Sequence, residues 1–168
     1  MDSKEAYTKF LKWRYKYITQ NQFRNIASAV IGLLTGLGAV ALKNLTHLIQ
    51  EILEGKFIYE FHNAFYFIFP IIGLLLVFFI KKFIIKKHVG HGIPSTLFAI
   101  SRLKSNMPSH QIWSSIITAP LTVGFGGSVG LEGPTVATGA AIGSNFGRLL
   151  HLNQATRTLL IGAAAAGA

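Results

Sequence analysis

The 168 residues contain no cysteine, only six carboxylates, and charged residues amount to 13% of the chain. Without cysteine there is no disulfide framework, no thiolate metal site and no thiol nucleophile, which removes several enzyme classes. A soluble domain ordinarily carries about 25% charged residues spread over its surface. Here the charges are sparse and clustered, so their positions carry topological information. What fills the chain instead is apolar: 51% of residues are hydrophobic and 13 are Phe, a composition that prefers lipid or a buried core to water. The formal net charge of +10 would also suit a nucleic-acid-binding domain. The Lys and Arg residues, however, flank long apolar runs rather than building a polar, aromatic face, and this is the positive-inside pattern of membrane proteins. The expected partner is the lipid bilayer, with its anionic cytoplasmic leaflet, and no nucleic acid.

Residues 1–25 are basic and aromatic in alternation, with Lys4, Lys9, Lys12, Arg14, Lys16 and Arg24 among Tyr7, Phe10, Trp13 and Tyr17. They are expected to form a cytoplasmic amphipathic segment in the membrane interface. Residues 26–42 are apolar apart from Ser28 and Thr35, and continue through Leu45, Leu48, Ile49 and Ile52; the run is long enough for a first spanning helix with tilt. A cleaved signal peptide is the competing reading, because Ala39, Val40 and Ala41 have the small-x-small form of a cleavage site. The long polar lead and the further apolar segments favour an uncleaved span. Gly32 and Gly36 form a Gly-x-x-x-Gly pair that permits close helix packing. Glu51, Glu54, Lys56 and Glu60 then make a short acidic connection, expected on the outer side. A second span over residues 64–85 ends at Lys81, Lys82, Lys86 and Lys87, which returns the chain to the cytoplasm. Beyond it, segments 90–100, 108–130 and 133–150 are richer in Gly, Ser and Thr and are interrupted by Pro. They read as short or broken helices, tolerated at membrane depth only where protein or a polar cavity satisfies the freed backbone. The apolar stretch 159–168 has no polar stop, so the sequence is expected to continue.

Two motifs carry the chemistry. Gly90, His91, Gly92, Ile93 and Pro94 follow the basic end of the second span; glycine lets the backbone turn closely, and proline in a first helical turn forfeits no hydrogen bond. A helix start with uncovered N–H groups is suited to an anion, although such a turn also occurs merely to start a helix. Gly130, Leu131, Glu132, Gly133 and Pro134 make a second helix start. Glu132 is the only carboxylate after Glu60, and an intramembrane carboxylate costs about 3 kcal/mol on insertion scales, so it is rarely kept without a role in an ion or proton path. An ionised Glu beside an anion site competes with the anion, and a protonated one releases it. Satisfaction by local amides is the plainer alternative.

These residues resemble the CLC family of chloride channels and chloride/proton exchangers. Gly130 to Pro134 is similar to its Gly-Lys/Arg-Glu-Gly-Pro motif, Gly90 to Pro94 to its Gly-Ser-Gly-Ile-Pro motif, in the family's order, and residues 162–168 resemble the small-residue helix that follows. The resemblance implies chloride transport, as channel or exchanger, with Glu132 as the gating and proton-carrying glutamate. It also implies that Gly90, His91, Gly92, Ile93 and Pro94, together with Gly130, Leu131, Gly133 and Pro134, form the anion-binding backbone. It implies an all-α fold of tilted and broken or re-entrant helices, residues 26–168 being the start of the first of two inverted repeats. Chloride and protons as the transported species, no other cofactor, a homodimer, a cytoplasmic N-terminus and a plasma-membrane location follow as expectations. Two positions depart from the pattern: His91 stands where a chloride-coordinating Ser is usual, and Leu131 where a Lys or Arg is usual.

Three other classes fit less well. A nucleotide-binding loop at residues 124–130 fails because Val129 stands where the spacing needs Gly and no Lys-Ser or Lys-Thr follows. An intramembrane enzyme would need His and Glu132 at metal-ligand spacing, which is missing; His47, His62, His88, His110 and His151 read as interfacial or loop residues. A secondary transporter of another class, using Glu132 for proton or cation coupling, remains the principal alternative.

Overall fold

The computed structural model describes residues 19–57, 65–90 and 92–168, and among them every regular element is helical. Helix α1 runs over Gln20–Phe57. It starts earlier than the apolar pattern indicates, because Thr19 and Gln22 form a capping box: the Gln22 N–H donates to Thr19 Oγ1 at 3.4 Å, and the Thr19 N–H donates to Gln22 Oε1 at 3.2 Å. Residues 20–25 are therefore the first turns of α1 and not a separate interfacial element. Residues 1–18 of that expected segment lie outside the described residues, as do Glu60 and His62. Glu51, Glu54 and Lys56, expected in a connection, belong to the last turns of α1. Its 38 residues extend over about 57 Å, well beyond the hydrocarbon thickness of about 30 Å.

Helix α2 (Phe65–Phe79) continues into a wider π-helical turn (Ile80–Ile85), as the second span requires. It stops at Lys86, which takes a left-handed conformation (φ 51°) and returns its N–H to the Lys81 carbonyl. Lys82 lies over the rings of Phe78 and Phe83 at 5.5 and 5.7 Å. The remaining helices are shorter: α3 (Gly92–Arg102), α4 (His110–Gly124), α5 (Glu132–Leu149) and α6 (Gln154–Ala166). Two segments, Gln20–Leu53 and Ile68–Ile85, are long and apolar enough to cross a bilayer.

The distribution of side chains is the reverse of a water-soluble core. On α1 the buried positions are Phe23, Ala27, Ile31, Thr35, Leu42 and Thr46, whereas Val30, Leu33, Leu37, Val40, Leu48 and Ile52 are exposed. Eight large apolar residues of α2, among them Ile71, Leu74 and Phe78, also face outward. Inside, the packing residues are small: Ala137, Ala140, Ala141 and Ala164 are buried almost completely. In a bilayer the outer surface meets hydrocarbon, so large apolar side chains gain nothing by turning inward, and close approach of backbones supplies the contact instead.

Helix α5 is the centre of this arrangement, packing against α1, α3, α4 and, most extensively, α6. A Cβ at Gly139 would fall 2.7 Å from the Ala164 carbonyl oxygen, and one at Gly143 would fall 2.6 Å from that of Leu160. The Gly32 and Gly36 pair on α1 is likewise in contact, with the end of α6: a Cβ at Gly167 would meet Gly32 Cα at 2.9 Å. Polar groups then hold the α3–α4 connection. Ser144 of α5 donates to the Ser105 carbonyl at 2.7 Å and accepts from the Met107 N–H at 2.8 Å. Ser105 Oγ and Thr158 Oγ1 share a hydrogen bond at 2.6 Å, and the Arg157 guanidinium bonds Asn106 Oδ1.

Gly143→Val is expected to destabilise the protein by about 1–3 kcal/mol, and Ser144→Ala by a similar amount, because it strands two buried backbone groups. Gly162→Ala, with open space around it, is expected to be neutral or slightly stabilising. Thermal unfolding of the three purified variants in one detergent, scored against wild type, checks the order.

Candidate functional site

Both motifs open helices. Gly92 is the first residue of α3 and Glu132 the first of α5, so Pro94 and Pro134 each occupy the third helical position, where the backbone N–H would have no intrahelical partner in any case. Gly92 has φ +52°, a conformation that a side chain strains. The loop before α3 is pinned from one side by a short hydrogen-bond chain. Gln111 Nε2 donates to Ser95 Oγ at 3.3 Å, and Ser95 Oγ donates to the Gly92 carbonyl at 2.8 Å. A Cβ at Gly90 would collide with this pair, 2.6 Å from Ser95 Cβ and 2.8 Å from Gln111 Nε2.

The two helix starts meet. A Cβ placed on Gly92 would lie 3.1 Å from Gly133 Cα and 3.3 Å from its carbonyl oxygen. Around this contact Gly90, Gly92, Ile93, Pro94, Gly130, Gly133 and Pro134 line one cavity of about 490 Å³. Its far wall is the polar stripe of α4, Ser115, Thr118 and Thr122. Thr118 and Thr122 donate to the Ser114 and Thr118 carbonyls. Two helix N-termini brought together this way aim unpaired N–H groups and two positive dipole ends at one region, a setting that accepts an anion. His91 lies outside the described residues.

Leu131 and Glu132 are separated from that set. Glu132 is exposed, and with Leu131 and Thr135 it lines a second cavity of about 390 Å³ whose opposite wall is α1, through Ala39, Lys43, Thr46, His47 and Gln50. The division follows from helix geometry. Successive residues turn by about 100°, so 131, 132 and 135 share one side of the α5 start, and 130, 133 and 134 share the other. His47, read from the sequence as interfacial or in a loop, lies within α1 rather than in a loop, on the wall facing Glu132. One signal in the sequence marks this wall: Lys43 is the only charged residue between Arg24 and Glu51, within an apolar run of the kind where a charge is rarely kept without a role.

Comparison with known proteins identifies the family of the chain. Residues 72–168 match the family described as voltage gated chloride channel. The H(+)/Cl(-) exchange transporter ClcA of Salmonella arizonae is 30% identical over 154 residues, covering 84% of this chain and 32% of that protein. The protein of the same name from Salmonella schwarzengrund is 31% identical over 152 residues, covering 83% and 31%. The chain thus spans about a third of the length of the curated relatives it matches. No solved structure matches. The chain, all-helical in its described residues and carrying two apolar helices of spanning length, belongs to the voltage gated chloride channel family, the CLC family.

Proposed function

We propose that the protein containing this chain transports chloride across a membrane in exchange for protons, with Glu132 as the group that both gates the anion path and carries the proton. The observation that carries this reading is the contact between Gly92 and Gly133, which faces two helix N-termini onto one cavity. Dehydrated chloride would exchange water for backbone N–H donors at the starts of α3 and α5, where the aligned peptide dipoles favour negative charge. Glu132, at the head of the same α5, carries a carboxylate that competes for those donors when ionised and withdraws when protonated. The names of the relatives, which describe chloride/proton exchange, support the coupling to protons.

In this reading Gly90, Gly92, Ile93 and Pro94 form the inner side of the anion site, with His91 among them. Gly130, Gly133 and Pro134 form the outer side, with Leu131 turned to the cavity that holds Glu132. The basic cluster after α2, Lys81 to Lys87, and the basic N-terminal segment lie in the cytoplasm, and the acidic end of α1 lies outside. The functional unit is a homodimer in the plasma membrane. Transport needs no cofactor beyond its ions.

The test is chloride efflux from liposomes reconstituted with the full-length protein, with proton movement recorded alongside at several pH values. Wild type is expected to carry both ions, and Glu132→Gln to carry chloride without its pH dependence and without protons. Chloride flux with no proton movement in the wild type would make it a channel. Absence of chloride flux, or a Glu132→Gln profile identical to wild type, would overturn the reading. Backbone geometry gives a second expectation. Gly92→Ala, at positive φ and facing Gly133, is expected to cut flux at least tenfold, whereas Gly162→Ala, with open space around it and outside both cavities, is expected to stay within about twofold of wild type; the same efflux assay reads both.

A further inference from the structure

The cavity lined by Glu132 is lined by a second charged side chain. Lys43, the only charged side chain between Arg24 and Glu51, and Glu132, the lone carboxylate of the chain's second half, line the same space of about 390 Å³ from opposite walls. On α1 the residues Lys43, His47 and Gln50 follow one another at helical spacing and bring an ammonium, an imidazole and an amide to one face. The hydroxyls around them are already used, since Thr46 donates to the Leu42 carbonyl at 2.9 Å and Thr135 to the Glu132 carbonyl at 2.8 Å. Among the described residues the side chains of Lys43, His47, Gln50 and Glu132 have no hydrogen-bond or ion-pair partner. Lys43, His47 and Glu132 are all exposed to this space, and an anion entering it would meet the Lys43 ammonium as its counter-charge and the Glu132 carboxylate as its competitor. The α5 start supplies no cation for this, because the residue before Glu132 is Leu131.

We propose that Lys43, assisted by His47 and Gln50, forms an anion-capture site at the mouth next to Glu132. The site takes a small monovalent inorganic anion such as chloride and hands it to the helix N-termini when Glu132 withdraws. The proposal rests on the transport reading given above and adds to it the residues that collect the anion. Its positive charge acts on the anion through space, so its removal should change how much chloride is needed and leave the maximal rate largely intact.

These 168 residues hold no cysteine, so a full-length background in which any cysteine elsewhere is replaced allows a direct test in liposomes. Lys43→Cys is modified from the outside with membrane-impermeant methanethiosulfonates of matched size, one cationic and one anionic, and chloride flux is measured against chloride concentration, with wild type treated alike. Lys43→Cys is expected to raise the half-saturating chloride concentration about threefold to tenfold. The cationic reagent should restore it toward wild type and the anionic reagent should raise it further. Opposite effects of two reagents of equal bulk cannot come from misfolding. If the thiol variant does not reconstitute, Lys43→Arg against Lys43→Gln supplies the same contrast, with Arg expected near wild type. Wild-type flux with a working Glu132→Gln effect, combined with equal half-saturation for both reagents or for Arg and Gln, would overturn the capture site and leave the transport reading standing. A wild type that carries no chloride would overturn both.

Discussion

The close approach of backbones along α5 is the constraint on which the other features of this chain depend. Carbonyl oxygens of Leu160 and Ala164 occupy the volume in which side chains at 143 and 139 would begin. Only glycine permits that distance, and in a bilayer, where burying a large apolar side chain gains little over leaving it in lipid, backbone proximity is what holds helices together. The alanines of α5 and α6 then complete a core with little bulk in it, and the leucines, isoleucines and phenylalanines of α1 and α2 are left to face outward.

Because α5 is gripped by four neighbours, its first turn is held in a defined place. The same grip acts on α3, whose exit loop is tied to α5 by Ser144 and to α6 by Thr158 and Arg157. With one end of α3 fixed by these bonds and the other by Gln111 and Ser95, Gly92 is carried to Gly133. Two helix starts far apart in the chain are thereby made to share one cavity. A polar network that would be unremarkable in a soluble protein has here the task of aiming peptide dipoles.

Opposite sides of the α5 start do different things. One side joins the glycine-lined cavity and the other presents Glu132 to α1. In the proposed mechanism, a carboxylate beside the glycine-lined cavity rather than within its lining would leave or enter the anion's place by moving its own side chain. That separation of a rigid backbone site from a mobile charged group is the physical content of the transport mechanism put forward above.

Much of this was legible in the residues. The second span, the all-helical class and the starts of α3 and α5 follow from hydropathy, from the lysines after Ile80 and from Gly and Pro at helix beginnings, all of which act over a few residues. The start of α1 was misplaced because the apolar run masks a capping box at Thr19 and Gln22, and a polar pair outside the run decides where the helix begins. What the sequence by itself determined was therefore the local elements and the chemistry available on them. Tertiary structure alone decided that Gly92 touches Gly133, that Leu131 and Glu132 part from Gly130 and Gly133, and that Lys43 and His47 stand across from Glu132. These relations depend on the rotation and packing of whole helices, which the glycine and alanine contacts of α5 set, and no spacing along the chain encodes the distance between two such surfaces.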